Sequence, residues 1–353
     1  MVSSLLENIL TRTDTLLERF FHPPENEQTV SFRQYLTAPR KILLIPGENL
    51  ADLVLSLGFV LPLLKKFPQV EIFMLVPPEQ ACLIKNIPRL RPVECDHRSS
   101  YTFDGVFRKT ASKLRLEKFD WSVNLTYSGR PEALLTYYSG AVIRTGLSNC
   151  ENDKYYNLIV RNIPEQASFV KRFGVLFRAL QIEGPFDSIS TFIKPDDTER
   201  LRAEHFLRRR KSSRNQGKFT GCAFEWRPGQ KKVERYLHNF IEGLIVQIDP
   251  LHLLIAGNLV PPDDLRKWTN ITAYTYNFND LKQMIAVLSL CDKVVTNSTG
   301  LACVLGRLGT RVSLLETDTE YISRLDRKDL ANIQIFKSDN NDTTLKQALK
   351  FTQ

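Results

Sequence analysis

The chain has 353 residues, of which 42% are hydrophobic and 25% are charged. This length predicts two domains, each large enough to bury its own core, and the balanced composition excludes a disordered chain, a collagen-like fibre and a coiled coil. The 48 lysines and arginines exceed the 39 aspartates and glutamates, which leaves a net charge of +9. A moderately basic surface favours phosphate-bearing ligands or anionic lipid headgroups as partners.

The N-terminus and the cysteines both bear on the cellular compartment. No basic segment followed by an apolar stretch opens the chain, so a secretory signal is not expected. The longest uncharged apolar run, residues 53–64, is too short to span a bilayer. None of the six cysteines has the two-residue spacing of a zinc or redox motif. We therefore predict a cytoplasmic protein with free buried thiols and no metal site.

An amphipathic helix is predicted at the start of the chain. Apolar residues recur at helical spacing from Leu5 to Phe21 and stop before Pro23. The polar face of this helix carries acidic as well as basic residues, so it docks either on the protein body or on a membrane surface. We assign residues 1–38 to this helix and the loop that follows it.

From residue 39 the chain alternates short apolar runs with helical patterns. Lys41–Ile45 predicts a buried strand that ends in a Pro46-Gly47 turn, residues 53–64 predict a helix, and Glu71–Val76 predicts a second strand. A strand, a helix and a strand in this order form a parallel unit with a right-handed crossover.

The alternation continues beyond this unit. Residues 121–125 and 141–144 predict strands, and residues 131–138 predict the helix between them. The segment from Glu94 to Leu114 has no readable pattern, and we expect specificity loops there. A second such segment covers residues 257–270.

The second half of the chain repeats the pattern of the first. A helix and a basic linker cover residues 196–218, and a new strand at residues 220–224 then leads towards Arg227-Pro228-Gly229. Further strands are predicted at Leu251–Ala256, 293–296 and 312–315, and helices at 280–290 and 301–308. The fold class is therefore α/β, with Rossmann-like doubly wound domains over residues 39–195 and 219–353. Ligands of such sheets bind at the carboxyl ends of the strands, which places the site in an interdomain cleft.

The clearest candidate for a phosphate site is the segment Asn297-Ser298-Thr299-Gly300. It lies between a predicted buried strand and a predicted helix. Free backbone N–H groups at a helix start bind anions, and glycine lets a diphosphate approach the backbone closely. The alternative is an ordinary helix cap made by Ser298 or Thr299.

Five short motifs follow one another in a fixed order along the chain. They are Leu50-Ala51-Asp52 with Lys65-Lys66-Phe67-Pro68, then Phe119 to Leu125, then Ser139-Gly140-Ala141 with Arg144-Thr145-Gly146, then Cys291 to Val304, and finally Leu308-Gly309-Thr310. In this order they resemble glycosyltransferase family 9, the ADP-heptose:lipopolysaccharide heptosyltransferase family, from about Lys41 to the C-terminus. Each motif is weak alone, and the order gives the resemblance its specificity.

The resemblance implies the GT-B fold of two facing Rossmann-like domains. The acceptor then binds the first domain, and the nucleotide diphosphate sugar, with ADP-heptose favoured, binds the second. It also implies an inverting, metal-independent transfer without a cofactor, because the sugar nucleotide is itself a substrate. The acceptor is lipid-linked or a polysaccharide of the bacterial envelope, which places the protein in the cytoplasm or peripherally on the inner face of the cytoplasmic membrane. The basic run at residues 208–214 has no interleaved aromatics, so a nucleic acid partner is not expected.

The resemblance also assigns roles to individual residues. Asp52 matches the general base, and the alternative is a carboxylate that caps the helix. Thr299 and Gly300, with Asn297 and Ser298 beside them, match the diphosphate site. Lys231 or Lys232 matches a lysine that binds the diphosphate, and their spacing does not choose between them. The remaining candidates for lining the cleft are Gly47, Asn49, Glu225 and Trp226, and the alternative for Trp226 is a place in the core.

Three positions depart from the family pattern. Ala51 replaces a glycine, Ser298 an acidic residue and Cys303 a histidine. We interpret Cys303 as a packed thiol, since inverting transfer needs no covalent intermediate. The departures support a second hypothesis, a degenerate family member that binds nucleotide or glycan without turnover. A third is a sugar-nucleotide epimerase of similar shape, which the motif order disfavours.

Overall fold

The computed structural model of the chain describes residues 32–47, 49–95, 105–126, 129–148, 151–161, 163, 167–186, 192–209, 219–223, 251–256, 271–276, 281–316, 325 and 330–337. The amphipathic helix predicted between Leu5 and Phe21 lies outside these residues. In the described part of the chain, no helix has the length and the apolar character needed to cross a membrane.

The first sheet contains six parallel strands among the described residues. In chain order they are β1 (Lys41–Ile45), β2 (Glu71–Val76), β3 (Leu90–Glu94), β4 (Trp121–Asn124), β5 (Ile143–Leu147) and β6 (Leu158–Val160). Their order across the sheet is β3-β2-β1-β4-β5-β6, which is the Rossmann order.

A second sheet of six parallel strands follows in the described part of the chain. Its strands are β7 (Phe219–Ala223), β8 (Leu251–Ala256), β9 (Ile271–Tyr276), β10 (Lys293–Thr296), β11 (Arg311–Glu316) and β12 (Ile333–Lys337). The order β12-β11-β10-β7-β8-β9 is the order of the first sheet, counted from β7. Two doubly wound sheets confirm the predicted fold class. The domain boundaries at residues 38, 195 and 218 stay predictions.

Helices connect the strands. They are α1 (Phe32–Thr37), α2 (Leu50–Ser56), α3 (Val60–Lys66), α4 (Gly105–Glu117), α5 (Arg130–Tyr138), α6 (Phe169–Ala179), α7 (Asp197–Arg208), α8 (Leu281–Leu288) and α9 (Thr299–Arg307), with short 3-10 turns at Leu57–Phe59, Pro78–Leu83 and Asp153–Tyr155. The helix predicted for residues 53–64 is therefore α2, a 3-10 turn and α3 in succession.

The central strands carry apolar residues on both faces because helices cover both sides of the sheet. In β1, Ile42 and Leu44 belong to a cluster that also includes Leu301 and Val304 of the second half of the chain. Leu43 and Ile45 belong to a separate cluster under α4 and α5. One face of the first sheet thus joins the core that the two halves share, and the other face is covered by its own two helices.

The two sheets repeat one polar detail at the entry to their central strands. Asp120, just before β4, accepts hydrogen bonds from the backbone N–H groups of Arg40 and Lys41 at 2.6 and 3.0 Å. Asp292, just before β10, accepts one from the backbone N–H of Phe219 at 2.8 Å. In each sheet an aspartate therefore fixes the start of the neighbouring strand.

Strands β3, β6, β9 and β12 and helices α1 and α6 were not predicted, and two segments that were assigned differ from the prediction. The stretch from Glu94 to Leu114, expected as loops, contains most of α4, because only Phe107, Thr110 and Leu114 of that helix are buried and the apolar pattern is sparse. The strand predicted at residues 141–144 is β5, shifted towards the C-terminus. It includes Gly146, whose missing side chain makes room for the Tyr156 ring.

An ion pair ties α7 to the second half of the chain. The first turn of α7 has a capping box, in which the Asp196 side chain accepts from the backbone N–H of Glu199 and Glu199 reaches back to the backbone N–H of Asp196. The ammonium of Lys282, on α8, lies 2.7 Å from the Glu199 carboxylate and is only 13% exposed. The helix that precedes the linker therefore packs on the second sheet's own helix.

An aromatic cluster anchors the turn between α2 and α3. The ring of Phe59 stacks on Phe177 with centroids 4.5 Å apart and contacts Phe186 at 5.0 Å. Phe169 and Phe173 complete the cluster, and Phe59 is fully buried. The cluster fixes the C-terminal end of α2 against α6.

Replacing Phe59 by alanine should lower the free energy of unfolding by about 3–5 kcal/mol, because it removes a buried ring and leaves a cavity. Denaturant titration measures the change. The control is Leu61→Ala, two residues away at a side chain that is 42% exposed, and it should change the stability by about 0.5 kcal/mol or less. Equal losses in the two variants would contradict the role given to Phe59.

Candidate functional site: two helix starts in contact

The first half of the site follows β1. Pro46 and Gly47 leave the strand, Asn49 is the extended residue before α2, and its backbone oxygen accepts from Leu53 at 3.2 Å. Asp52 is the third residue of the helix, is half-buried, and folds its carboxylate over the α-carbon of Gly47. A side chain at Gly47 would collide with that carboxylate, so the glycine makes room for Asp52.

The helix start stabilises the negative charge of Asp52. The unpaired N–H groups and the helix dipole place a partial positive charge at the first turn of α2. The carboxylate form is the one that can accept a proton. The predicted cap is wrong, because Asn49 is the N-cap residue of this helix and its side chain forms no capping hydrogen bond. The general base predicted for Asp52 stays a prediction.

The second half of the site follows β10. The hydroxyl of Thr296 accepts from the backbone N–H of Ser298 at 3.0 Å. The hydroxyl of Ser298 accepts from the backbone N–H of Leu301 at 3.3 Å, which makes Ser298 the N-cap of α9. Asn297 and Thr299 are half-buried, and Gly300 is buried. The Ser298 side chain thus caps its own helix. The backbone N–H groups of Thr299 and Gly300 lie in the first turn, before the hydrogen bonds between successive turns of the helix begin.

These two helix starts touch each other. A side-chain carbon added to Gly300 would lie 2.6 Å from the Cβ atom of Leu50 and 2.7 Å from the backbone nitrogen of Ala51. Both distances are below any normal contact, so only a glycine lets α9 approach α2 this closely. Asp52 follows Ala51 directly. The candidate base and the candidate diphosphate segment therefore share one locus between the sheets.

The strand order explains why the site falls here. The order of the first sheet reverses between β1 and β4, and that of the second sheet reverses between β7 and β10. Ligands of doubly wound sheets bind outside the carboxyl ends of the strands at such a reversal. Gly47 and Asp52 follow β1, and Ser298 and Gly300 follow β10, so each half of the site lies at the reversal of its own sheet.

Four of the predicted site residues lie outside the described residues. They are Lys231 and Lys232, predicted to bind the diphosphate, and Glu225 and Trp226, predicted to line the cleft. The remaining predicted residues, Gly47, Asn49, Asp52, Asn297, Ser298, Thr299 and Gly300, all lie in the two segments that converge.

The sequence prediction missed a buried polar cluster next to β1. The amide nitrogen of Asn124, at the end of β4, donates to the Tyr156 hydroxyl at 2.7 Å, and its oxygen accepts from the backbone and the hydroxyl of Thr126 at 2.8 Å. Glu132, in the first turn of α5, is buried beside them. Asn124 pairs in register with Ile45 of β1, so the cluster adjoins the Gly47 turn.

Tyr156 stays protonated in this cluster. Burial raises the pKa of its hydroxyl, and the nearby carboxylates of Glu132 and Asp153 raise it further, while the hydrogen bond from Asn124 opposes them. The phenol is thus a hydrogen-bond donor at neutral pH. In the sequence, the cluster is indicated only by an asparagine and a threonine at the carboxyl end of a predicted strand. Its third member, Tyr156, is 32 residues from Asn124 in the chain.

The cysteines of the second half are buried. Cys303 is fully buried in α9, as the interpretation of a packed thiol predicts. Burial raises the pKa of Cys291 to about 12, with a smaller contribution from Asp292. Burial and the neighbouring Cys291 also raise the pKa of Cys222. Thiols held in the protonated form are poor nucleophiles.

Comparisons with known proteins define the class of the fold. No protein-family model matches the sequence, and no curated protein sequence matches it. Solved structures do match. The glycosyl transferase family 9 structure from Veillonella parvula DSM 2008 has a TM-score of 0.61 at 15% identity, covering 89% of this chain and 90% of that one. E. coli heptosyltransferase WaaC with ADP has a TM-score of 0.60 at 15% identity, covering 89% of this chain and 100% of that one.

A sugar-nucleotide epimerase also has a similar structure. UDP-GlcNAc 2-epimerase from Neisseria meningitidis bound to UDP-GlcNAc has a TM-score of 0.53 at 10% identity, covering 89% of this chain and 91% of that one. The likeness in all three cases is one of fold. The fold expected from the family 9 resemblance is confirmed, with two Rossmann-like domains arranged as in these sugar-nucleotide enzymes.

The contact between the helix starts predicts a strong effect at Gly300. Gly300→Ala should lower the free energy of unfolding by about 1–3 kcal/mol, because the added methyl group forces α2 and α9 apart. Denaturant titration measures this loss. Gly105→Ala is the control, since a side-chain carbon there has nothing within 4 Å, and it should leave the stability unchanged or slightly raised. Wild-type stability of Gly300→Ala would show that the two helix starts are not in contact in solution.

Proposed function

We propose that the protein is a glycosyltransferase that moves a heptose or a related sugar from a nucleotide diphosphate sugar to an envelope glycan. The donor we favour is ADP-heptose, and the acceptor is the lipopolysaccharide core or another lipid-linked or polysaccharide glycan. The observation that carries the proposal is the contact of Gly300 with Leu50 and Ala51, which brings Asp52 beside the helix start of α9. The fold shared with a heptosyltransferase with ADP supports the same choice.

In this proposal Asp52 is the general base of a single inverting displacement. The acceptor hydroxyl oxygen bonds to the anomeric carbon and its proton passes to Asp52. The bond from the anomeric carbon to the diphosphate oxygen breaks, and its electron pair leaves on the diphosphate. General-base catalysis requires an ionised carboxylate next to the attacking hydroxyl. The placement of Asp52 at the first turn of α2 supports that role, since the helix start favours the ionised form.

The α9 start would stabilise the leaving diphosphate. Backbone N–H groups of Thr299 and Gly300, together with the helix dipole, form the kind of site that binds phosphate oxygens. Asn297 and Ser298 shape the segment. Lys231 or Lys232 would supply the positive charge from the second domain's first loop. In this proposal these groups replace a metal ion in neutralising the diphosphate, so the transfer is metal-independent and needs no cofactor.

A second function is supported by one observation. Ser298, where the family has an acidic residue, spends its hydroxyl on capping α9, and Cys303, where the family has a histidine, is fully buried. Neither side chain is then placed to contact a donor. These features favour a degenerate member that binds nucleotide or glycan without turnover.

The acceptor side suits a location in the cytoplasm at the inner face of the cytoplasmic membrane. Gly47, Asn49 and the Asn124–Tyr156 pair lie at the carboxyl edge of the first sheet, where an acceptor sugar would reach Asp52. A lipid-linked acceptor carries its glycan only a short distance from the bilayer. The enzyme would then work as a peripheral protein, and the net charge of +9 suits a phosphorylated membrane surface.

Asp52→Asn tests the proposed base. It should lower kcat roughly 100- to 10,000-fold, the usual share of general-base catalysis, while leaving donor affinity nearly unchanged, as measured by calorimetry. The matched control is Asp197→Asn, because Asp197 is a first-turn carboxylate of α7 and contributes only to helix stability. Full turnover by Asp52→Asn would remove Asp52 from the mechanism.

A ligand screen separates the two functions. The purified protein is mixed with ADP, UDP, GDP, CDP and their sugar conjugates, with and without magnesium, and its thermal unfolding is recorded. A ligand present at about 100 times its dissociation constant stabilises the native state by about 2.7 kcal/mol. Selective stabilisation by one sugar nucleotide, equal with and without magnesium, is expected, and transfer from that donor to a glycan acceptor then identifies an enzyme. Binding without transfer favours a degenerate member that binds nucleotide. Binding of none contradicts the transferase and leaves only a degenerate member that binds glycan.

A further inference from the structure

Helix α4 presents a basic face to solvent. Its buried residues, Phe107, Thr110 and Leu114, recur at helical spacing and hold the helix on the first sheet. The side chains on the opposite side are exposed, and four of them carry a positive charge. These four are Arg108, Lys109, Lys113 and Arg115.

An exposed leucine lies on this basic face, in the last turn of α4. Leu116 is 82% exposed. Residues three, four or seven positions apart lie on one side of a helix, so Lys113 and Lys109 flank Leu116 on one side. Arg108 and Arg115, seven positions apart, form the other flank. Leu116 thus stands between two pairs of cations, and Val106, which is 44% exposed, lies in the first turn of the same helix.

The positive charge of this face has no acidic partner in the part of the chain that the structure describes. The one acidic residue of α4, Glu117, forms an ion pair with Lys41 of β1 at 2.8 Å. None of the ion pairs between described residues includes Arg108, Lys109, Lys113 or Arg115. Lys118, just past the end of the helix, is exposed and adds a further positive charge. The face therefore attracts a negatively charged partner.

We propose that the exposed face of α4 docks on an anionic lipid bilayer, with Leu116 inserted among the headgroups and the four cations against their phosphates. Lysine and arginine next to an anionic leaflet each add to the attraction, and their apolar stems lie along the lipid surface while their charged ends stay hydrated. A convex helix face suits a flat surface rather than a groove, and a leucine at its apex gains nothing from the polar backbone of a nucleic acid.

The orientation of α4 fits this docking. The helix follows β3, which ends at the carboxyl edge of the sheet, and precedes β4, so it begins beside the site and ends at the opposite edge. The Lys41–Glu117 ion pair, at the start of β1, fixes that far end. With α4 flat on the bilayer, the carboxyl edge also lies at the bilayer. This surface would be the place of the membrane contact that belongs to the proposed function. Its binding to vesicles can be measured without a sugar nucleotide and without sugar transfer.

Vesicle binding of the full chain tests the proposal. Sedimentation is measured with vesicles of pure phosphatidylcholine and with vesicles that contain about one third phosphatidylglycerol. The wild type should bind only the anionic vesicles and dissociate in high salt. Lys109→Gln/Lys113→Gln should weaken binding roughly 25-fold, at about fivefold per charge. Leu116→Ser should weaken it roughly tenfold, since one leucine is no longer removed from water.

Helix α7 provides a matched control surface. It also carries exposed arginines around an exposed leucine, Leu201, which is 64% exposed. Its positive charge is balanced, because Glu204 pairs with Arg200 and Arg208 and two acidic residues lie in its first turn. Arg202→Gln/Arg209→Gln and Leu201→Ser should therefore bind vesicles like the wild type. Thermal unfolding of all variants, which change only exposed side chains, verifies that they are folded.

Three results would overturn the proposal: equal binding to neutral vesicles, wild-type binding by the α4 variants, or loss of binding in the α7 variants alone. The nucleotide screen gives a separate answer. A chain that binds anionic vesicles through α4 but no nucleotide keeps this surface and loses the proposed function. A chain that binds nucleotide but no vesicles keeps the function and loses the surface.

Discussion

The approach of Gly300 to the backbone of Leu50 and Ala51 is the constraint on which the rest of the molecule depends. Packed helices normally keep 8–10 Å between their axes because side chains separate them. At this point Gly300 contributes no side chain, and the first turn of α9 lies against the first turn of α2. The surrounding residues, including Leu53, Leu301 and Ala302, are buried and apolar. Burial of these side chains holds the two halves together at the contact.

This contact turns two similar halves into one asymmetric site. Both sheets have the same strand order, and both use an aspartate, Asp120 or Asp292, to fix the start of the neighbouring strand. The groups that carry chemistry are not repeated. The first sheet contributes an acid in the helix after its first strand, and the second contributes a Ser-Thr-Gly helix start after its fourth strand. The helix that carries Asp52 and the Ser-Thr-Gly helix start are thereby in contact, and the proposed function uses the first as proton acceptor and the second as the site of the anionic leaving group.

The central strands were predictable from the sequence, and the outer elements were not. Strands such as β1 and β10 are covered on both faces, so their residues form continuous apolar runs. The edge strand β3 buries only Leu90 and Val93 and includes Pro92, and β6 is half-buried throughout. Helix α4 buries only three of its residues. An element with only one packed face shows a weaker apolar pattern in the sequence, because fewer of its positions have to be apolar.

The site residues were likewise predictable only in part. Asp52 and Gly300 were found because each follows a strongly apolar strand, and the family resemblance assigned their roles. The direct contact between their helices was not predictable, since it joins residues about 250 positions apart in the chain. The Asn124–Tyr156 pair was missed for a related reason. A tyrosine that fills the space left by Gly146 looks like an ordinary core residue until the fold brings it to the end of β4.

The two faces of the first sheet contact different parts of the molecule. Ile42 and Leu44 of β1 point towards α2 and the core shared with the second half, whereas Leu43 and Ile45 point towards α4 and α5. A surface that contacts a bilayer through α4 is therefore on the side of the sheet opposite to the helix contact. Docking on that side leaves the approach of α2 and α9 undisturbed. Because α4 begins at the carboxyl edge of the sheet, the membrane and the donor would reach this edge from opposite faces. An acceptor anchored in the bilayer would then have a shorter path to Asp52 than with the protein docked on its other face.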